Sequence, residues 1–415
     1  MFHRLRSLQK EYPAQYWLLF WGLLVSSAGI SLIWPFLTIY LREKLDLPLT
    51  TVASLITLSS VATLVASLIA GPIMDRFGRK IIMVASLFLS AVTFVLMSFA
   101  STLPQFIILM LLRGAFTPLY SVAADAMVAD LIEPDRRVEA YSLLRIVNNV
   151  GIALGPAVGG FITSSSYSTA FNLGGASLLI FALLVLFTIQ ETAPLRAAAA
   201  VESTLSGGGY LSIFKDRFFV SFCGAFTFSG MMSALVFVLL SVYVKENFGI
   251  PESQFGFLMT TNALVVVLFQ FAVSRISNRH PPLRVLATGA LVYAVGVGSI
   301  ALGRGFFAFM LSIIVLTFGE LLIAPTATTL VSQIAPAHLR GSYMGVFSLT
   351  VGVARGLGPI YGGVLNDKIS PAAIWYGGLV VGLIAAVWYY RLYQIRRKQK
   401  QAVMVSAQTT SGGAS

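Results

Sequence analysis

Apolar residues run along this chain in long blocks that are separated by short polar or charged joins. A helix needs about 20 apolar residues to cross the hydrocarbon core of a bilayer. Twelve blocks reach that length, and they predict helices over residues 16–41, 49–74, 79–100, 103–128, 139–165, 168–190, 217–244, 253–276, 283–303, 305–330, 341–365 and 371–393. The pattern therefore predicts an all-α membrane protein with twelve transmembrane helices.

The apolar pattern breaks once in the middle of the chain and once near its end. Residues 191–216 contain alanine and glycine runs with scattered charge, which predicts a cytoplasmic linker. It would join an N-terminal six-helix bundle at 1–190 to a C-terminal six-helix bundle at 217–393. Residues 394–415 are basic and then rich in Ser, Thr and Gly, which predicts a cytoplasmic tail that is disordered at its end.

Lys and Arg residues predict the orientation of these helices. Of the 28, twenty lie at the chain ends and in joins on one side of the predicted membrane, and five lie in joins on the other side. The remaining three, Arg113, Arg145 and Arg355, fall inside predicted spans. Because cytoplasmic segments carry the excess of Lys and Arg, we expect both termini in the cytoplasm and a multi-pass protein of the cytoplasmic (inner) membrane.

Composition agrees with the membrane assignment and narrows the function. The chain is 57% hydrophobic and 11% charged, whereas soluble proteins are about 25% charged. The net charge of +12 is explained by cations beside apolar blocks, so we expect no nucleic-acid partner. The single cysteine, Cys223, lies in an apolar block and cannot form a disulfide within the chain, and the three histidines fall in predicted cytoplasmic segments, so we expect no metal site. The sequence has no Gly-Lys-Ser/Thr phosphate loop and no nucleophile elbow, which argues against ATP drive and enzyme activity.

The two predicted halves repeat each other. The segment Gly155–Gly160 in span 5 matches Gly358–Gly363 in span 11, both reading Gly-Pro-x-x-Gly-Gly. Arg137 before span 5 matches Arg340 before span 11, and Arg113 in span 4 matches Glu320 in span 10. All these pairs are separated by 203 to 207 residues. Two parallel repeats predict two pseudo-symmetric bundles with a binding site between them near the membrane midplane.

The join between spans 2 and 3 has the most distinctive composition. It reads Gly71-Pro-Ile-Met-Asp75-Arg76-Phe-Gly78-Arg79-Lys80. Glycines there allow a tight turn and close backbone approach, and an aspartate at a span end is favoured beside a neighbouring helix N-terminus. The cations alone would make a membrane anchor, whereas the glycines and the aspartate favour a gating motif. Two residues near the next join on the same side are included in that motif, which comprises Gly71, Asp75, Arg76, Gly78, Arg79, Lys80, Asp130 and Arg137.

These motifs together resemble the major facilitator superfamily, and within it the twelve-span drug:proton antiporters. Gly71–Lys80 is similar to the family's loop 2–3 signature, and Gly151–Gly160 is similar to its antiporter signature. Asp130 with Pro134 and Arg137 resembles the segment that pairs with the loop 2–3 signature in this family. The matching loop of the second half, 275–284, has cations but no aspartate, which implies an asymmetric gate. The resemblance implies the twelve-helix fold and proton-coupled export.

Ionisable groups inside lipid are costly and are therefore candidate site residues. Glu320 is the main candidate for proton coupling, because a proton and a cationic substrate would compete for its charge. Such a glutamate in span 10 also resembles an acid linked to proton or substrate in related drug exporters. The alternative is a permanent ion pair between Glu320 and Arg113 or Arg355. Asp125 is the second proton-coupling candidate, and otherwise it would pair with Arg145 or with loop cations.

A substrate cavity is predicted from polar and aromatic residues inside the spans. Arg355 would attract an anionic substrate group or close an outer gate, while the aromatic residues would line the cavity or simply pack. The predicted cavity residues are Trp34, Phe36, Arg113, Arg145, Asn149, Phe226, Phe237, Glu320 and Arg355. Small residues at helical spacing predict close packing and a sliding interface between halves. This helix-packing set comprises Gly151, Gly155, Pro156, Gly159, Gly160, Gly358, Pro359, Gly362 and Gly363.

The leading functional prediction is a monomeric secondary transporter. It would export small hydrophobic or cationic compounds in exchange for protons by alternating access, with membrane lipids around it and no cofactor beyond the coupling proton. One alternative keeps the fold but carries a lipid, glycolipid or sugar, because three arginines inside the spans suit an anionic head group. A further alternative is a non-transporting membrane receptor.

Overall fold

A computed structural model describes residues 11–192, 213–336 and 339–411, and within them the chain forms twelve long helices. The helices of the first half are α1 (Ala14–Leu45), α2 (Leu49–Phe77), α3 (Arg79–Phe99), α4 (Leu103–Leu131), α5 (Arg137–Ser165) and α6 (Tyr167–Thr188). Those of the second half are α7 (Arg217–Phe248), α8 (Glu252–Ser277), α9 (Pro282–Ile300), α10 (Phe306–Ile334), α11 (Arg340–Lys368) and α12 (Ala373–Ser411).

These helices agree with the predicted spans to within a few residues at most ends, but α1 is interrupted. It consists of Ala14–Ser31, a 3-10 turn at Trp34–Phe36 and a second helical part at Leu37–Leu45. Pro35 lies in that turn and has no backbone N–H to continue the α-helical ladder, which explains the break. The predicted span over 16–41 thus corresponds to Ala14–Leu45, with an interruption that the apolar pattern did not predict.

The helices pack as two bundles that meet along two seams. Within the first half α2 packs on α4, α3 on α6 and α1 on α5, and the second half repeats these contacts as α8 on α10, α9 on α12 and α7 on α11. Between the halves, α2 packs on α11 and α5 packs on α8. In the sequence repeat α2 corresponds to α8 and α5 corresponds to α11, so the two seams are equivalent.

Opposite ends of the helices define two faces of the molecule. The terminal face holds the start of α1, the joins α2–α3 and α4–α5, and the end of α6. The distal face holds the joins α1–α2, α5–α6, α7–α8 and α11–α12.

Eleven of the described helices are long and apolar enough to cross a membrane. The remaining helix, α11, has 29 residues, but its glycines and Arg355 lower its hydropathy. Many large apolar side chains on the outside of the bundle are exposed, as lipid contact requires, among them Phe271 at 80% and Phe187 at 79%. A count of twelve spans and the cytoplasmic location of the termini stay predictions.

The predicted helix-packing glycines of α5 lie against α1 and α8. A methyl group on Gly151, Gly155 or Gly159 would overlap Ser27, Ser31 or Leu32 of α1.

On the opposite edge of α5, a Cβ at Gly160 would lie 2.5 Å from the carbonyl oxygen of Glu252. Pro156 lies inside α5, and its carbonyl group packs against Gly256 of α8. Gly160 and Gly256 thus allow the first half to approach the second closely.

The matching residues of α11 make equivalent contacts. Gly358 and Gly362 lie against α7, and Gly363 lies against Thr50 of α2. Pro359 is inside α11 and buried. The repeated Gly-Pro-x-x-Gly-Gly segments therefore occupy repeated positions, one on each seam.

The linker and tail lie only partly within the described residues. Of the predicted linker 191–216, residues 193–212 lie outside them, as do residues 412–415 of the tail. The tail predicted as disordered at its end is helical as far as Ser411, because α12 continues without a break. Lys, Arg, Gln and Ala are good helix formers, which explains why the helix extends past its apolar part.

Candidate functional site

Glu320 lies close to the middle of α10, about 21 Å from its start at 1.5 Å per residue. The side-chain amide of Asn262, on α8, donates a hydrogen bond of 3.0 Å to Oε2 of Glu320. The same amide nitrogen donates to Oγ1 of Thr317 at 2.8 Å. The half-buried carboxyl group is thus positioned by a neutral amide that bridges two helices of the second half.

An ion pair to Glu320 was the predicted alternative, and it is not formed within the described part of the chain. Neither Arg113 nor Arg355 pairs with Glu320 among the ion pairs there. The carboxyl group therefore has a hydrogen-bond donor but no cationic partner in those residues. Asn262 was not predicted as a site residue, although a polar side chain in the apolar block 253–276 was a usable signal.

Arg113, the counterpart of Glu320 in the first half, contacts the ring of Trp34. The guanidinium carbon of Arg113, on α4, lies 4.1 Å from the centre of the Trp34 ring system in the α1 turn. A cation over an indole face is stabilised by the ring quadrupole by about 0.5–2 kcal/mol. Arg113 is about 15 Å from the start of α4, so both it and Glu320 lie deep in their helices. The structure thus brings two of the predicted cavity residues together.

Four further predicted site residues are exposed on their helices. Asp125, Arg145, Asn149 and Arg355 are all exposed, and none of the charged ones takes part in an ion pair among the described residues. The predicted alternative pairing of Asp125 with Arg145 is therefore not formed there. The backbone carbonyl of Asp125 accepts a hydrogen bond of 2.6 Å from the hydroxyl group of Tyr141.

The three remaining aromatic residues differ in environment. Phe36 is fully buried and packs edge-on against Phe255 of α8, with ring centres 5.8 Å apart. It therefore fills the contact between the halves, where the α1 turn at Pro35 places it. A place for Phe36 in a substrate cavity stays a prediction. Phe226 is half-buried and packs against Phe347 at 4.6 Å, and Phe237 is half-buried on the same helix, α7.

The predicted gating motif lies on the terminal face. Arg79 forms an ion pair with Asp130, and its Nη1 also donates to the carbonyl of Ala126 at 3.3 Å. Arg137 donates from Nε to the carbonyl of Ile132 at 3.0 Å. Arg79 thus connects the start of α3 to the end of α4, and Arg137 connects the start of α5 to the residue that follows α4.

The glycines and remaining charges of this motif play different parts. Gly78 has a φ of +87° and is the single residue between α2 and α3. Gly71 lies inside α2, where an added methyl group would meet no described atom within 4 Å, so no tight turn or close approach requires this glycine. Arg76 is exposed, with its guanidinium 5.4 Å from the centre of the Phe77 ring, and Lys80 is half-buried. Asp75 belongs to α2, but its side chain is not among the parts that the structure describes.

Glu191 is a contact of this motif that the sequence did not predict. Its carboxylate accepts hydrogen bonds from the backbone N–H groups of Arg79 at 3.1 Å and Lys80 at 3.0 Å. The first N–H groups of a helix lack partners within it, and a negative charge there is favourable. Glu191 therefore caps α3 and joins the start of the linker to the gating motif. An acid directly after the sixth apolar block was the available signal.

A network of charges on the distal face was also missed. The ammonium group of Lys245, at the end of α7, pairs with Glu43 of α1 and with Glu252 of α8. Glu252 is only 5% exposed, and it also accepts a hydrogen bond from the hydroxyl group of Tyr167 on α6. A second pair joins Arg42 to Glu246 at 2.9 Å. Burial of Glu252 between opposite halves makes this network the centre of the distal closure.

The α2–α11 seam is closed on the same face by hydrogen bonds. Asp367, at the end of α11, accepts from the backbone N–H groups of Leu49 at 3.2 Å and Thr50 at 2.8 Å. Nearer the middle of the seam, Thr57 donates to the carbonyl of Gly356 at 2.7 Å. The halves are thus tied together at the distal face, whereas the gating pair Arg79–Asp130 lies within one half.

Comparison with known proteins agrees with this architecture. The chain is 25% identical over 391 residues to the MFS-type transporter YttB of Bacillus subtilis, covering 93% of this chain and 98% of that protein. It is 26% identical over 412 residues to a Na(+), Li(+), K(+)/H(+) antiporter of Planococcus maritimus, covering 88% and 93%. It is 25% identical over 410 residues to the multidrug resistance protein MdtH of Yersinia pestis, covering 96% and 98%.

Solved structures show the same fold at low sequence identity. The nucleoside transporter NupG superposes with a TM-score of 0.80 at 14% identity, covering 92% of this chain and 99% of that one. A bacterial homologue of the human lysosomal transporter Spinster superposes with a TM-score of 0.75 at 13% identity, covering 91% and 96%. The relatives are transporters and not enzymes. The sequence profile of the Major Facilitator Superfamily matches residues 19–237 and 221–409, and the chain accordingly belongs to that family of multi-pass membrane transporters.

Proposed function

We propose that this transporter exports small hydrophobic or cationic compounds in exchange for protons. The observation that carries the proposal is the carboxyl group of Glu320, held deep in α10 by Asn262 with no cationic partner among the described residues. An acid at this depth is costly to keep, so its presence favours a role in transport. A proton and a cationic substrate would bind there alternately, because each neutralises the same charge.

Relatives support exchange as the transport mode. The similar proteins include one named a cation/H+ antiporter and one named a multidrug resistance protein, each matched along most of this chain. Proton exchange and drug export both suit a site that combines the Glu320 carboxyl group with an aromatic ring. Trp34 would supply the apolar surface, and Asp125 would be a second proton-coupling group nearer the terminal face.

Alternating access would take place by rocking the two bundles across the α2–α11 and α5–α8 seams. With the terminal face in the cytoplasm, as the excess of Lys and Arg there favours, closure at the distal face corresponds to an inward-open state. The Lys245–Glu252 network and Asp367 would then release as the protein turns outward. The gating motif would close the cytoplasmic side in that outward state.

Proton release from reconstituted vesicles tests the role of Glu320. Addition of ethidium, a hydrophobic cation, to proteoliposomes should release protons from the wild type and not from Glu320→Gln. Glu133→Gln is the matched control, because Glu133 is exposed on the terminal face and the same acid-to-amide change there should leave coupling intact. Unchanged ethidium-coupled release in Glu320→Gln would remove Glu320 from the mechanism.

An anionic cargo such as a lipid, glycolipid or charged sugar is the second candidate. Arg113 favours it, because this deep guanidinium contacts Trp34 and forms no ion pair within the described ranges. A labelled anionic lipid that binds the wild type and fails to bind Arg113→Gln would favour this cargo. Ethidium export that persists in Arg113→Gln would favour the cationic one.

A further inference from the structure

An apolar groove runs along the outside of the second half between α7 and α12. It has a volume of about 570 Å³ and is bordered by Val380, Leu383, Ile384, Val387 and Leu392 of α12. Val380, Leu383, Ile384 and Val387 have the i, i+3, i+4, i+7 spacing of one helix face, and Leu392 lies further along the helix. Ser221 of α7 lines its other edge, and Arg391 lines it near the terminal face.

The indole ring of Trp388 forms a fixed wall of this groove. Its Nε1–H donates a hydrogen bond of 2.9 Å to Oγ of Ser221. Gly224 leaves room for the ring, because a Cβ there would lie 2.8 Å from Cη2 of Trp388. Phe228 packs on the other side, with ring centres 5.9 Å apart. The groove is therefore held open by specific contacts and is more than a gap between two loosely packed helices.

Positive charge is concentrated at one end of the groove. Arg391 is exposed where the apolar part of α12 ends, and it is followed by Arg396, Arg397 and Lys398. The guanidinium of Arg396 lies 3.9 Å from the centre of the Phe218 ring, so it is held beside the start of α7. No acidic residue borders the groove in the part of the chain that the structure describes.

The length of the groove matches one leaflet of a bilayer. Arg391 lies eleven positions after Val380, which is about 16 Å along a helix. The hydrocarbon core of a bilayer is about 30 Å thick, so one leaflet contributes about 15 Å. An acyl chain that lies along Val380–Val387 would bring the phosphate of its headgroup to the level of Arg391.

We propose that this groove is a binding site for an anionic phospholipid of the terminal-face leaflet. One acyl chain would lie against Leu383, Val387 and the Trp388 ring, and the phosphate would accept hydrogen bonds from Arg391. Guanidinium groups bind phosphate with two parallel hydrogen bonds, and anionic lipid is attracted to basic segments beside a membrane span. The site is independent of which substrate the transporter carries.

Lipid exchange with the full-length protein in nanodiscs tests this proposal. Native mass spectrometry would count phosphatidylglycerol retained in competition with phosphatidylcholine of the same acyl chains. The wild type should retain phosphatidylglycerol preferentially, and Arg391→Gln should reduce that preference by about fivefold. Arg304→Gln is the matched control, because Arg304 is exposed on the distal face and the same charge change there should leave the preference unaltered.

A second variant tests the acyl-chain part of the groove. Leu383→Trp should fill the groove and remove the retained lipid while the thermal unfolding temperature stays close to that of the wild type. Equal retention of both lipids, or a preference that Arg391→Gln leaves intact, would overturn the proposal and indicate general lipid contact. A dimer of the wild type that Leu383→Trp dissociates would also overturn it, since a second copy of the chain would then cover the groove.

Discussion

The carboxylate of Asp367, in the second half, accepts hydrogen bonds from both the backbone N–H and the side-chain hydroxyl of Thr50, in the first half. Thr50 lies in the first turn of α2, where backbone N–H groups have no partner within their own helix. One half of the transporter thus caps a helix of the other. Because this contact joins the two halves at the distal face, we expect it to break when that face opens and to favour the closed state.

Removal of this cap should shift the protein toward opening at the distal face. Losing a helix cap costs roughly 1–2 kcal/mol, and Asp367→Ala should therefore change the ratio of open to closed states by about 5- to 30-fold. Spin labels at Lys44→Cys and Asn247→Cys, in a Cys223→Ser background, would report the distance between the halves at this face. Thr50→Val keeps the backbone contacts and should have a smaller effect; identical distance distributions in Asp367→Ala and its parent would contradict the capping role.

Lys245→Met should destabilise the protein through the acid that it leaves behind. Glu252 is almost fully buried and would lose its cationic partner while it keeps the hydrogen bond from Tyr167, at a cost of roughly 1–3 kcal/mol. The double variant Lys245→Met/Glu252→Gln removes that charge and should recover part of the lost thermal stability. If the two single changes simply add in thermal unfolding measurements, Lys245 and Glu252 are not coupled.

The two glycines of the loop 2–3 motif should differ sharply in their tolerance of alanine. Gly78→Ala forces a side chain into a backbone with φ of +87° and within 2.6 Å of Oε2 of Glu191, which should cost roughly 1–3 kcal/mol. Gly71→Ala lies inside a helix with open space around it and should gain about 0.5–1 kcal/mol. Thermal unfolding in one detergent compares them directly. Equal loss from both substitutions would show that the position of Gly71 is constrained by contacts in another state of the transport cycle.

The contact of Arg113 with Trp34 should appear as a coupling energy. A double-mutant cycle with Trp34→Leu and Arg113→Gln should give about 0.5–2 kcal/mol by thermal unfolding, because the guanidinium lies 4.1 Å from the ring centre. The pair of Arg76 and Phe77 is a matched control, since that exposed contact spans 5.4 Å and should give less. A coupling energy for Arg113 and Trp34 no larger than this control would argue against a specific cation–π contact.

The apolar blocks of the sequence determined the helices, and the repeat at 203 to 207 residues predicted two matching halves. The length of an apolar block sets whether a helix can cross a membrane, and the spacing of small residues within one helix sets which face packs closely, so both can be read from short segments. Gly155 and Gly358 could therefore be placed on helix seams before any contact was known. The turn at Trp34–Phe36 was the exception, since one proline decided whether α1 continued.

Only the tertiary structure decided which polar groups meet. Glu320 bonds to Asn262, 58 residues away, and Glu191 caps a helix that begins 112 residues earlier in the chain. Such pairs depend on how whole helices are rotated and shifted against one another, which no short pattern records. The same reason explains why Phe36 fills a seam and why the Lys245–Glu252 network on the distal face could not be recognised from isolated charges beside the apolar blocks.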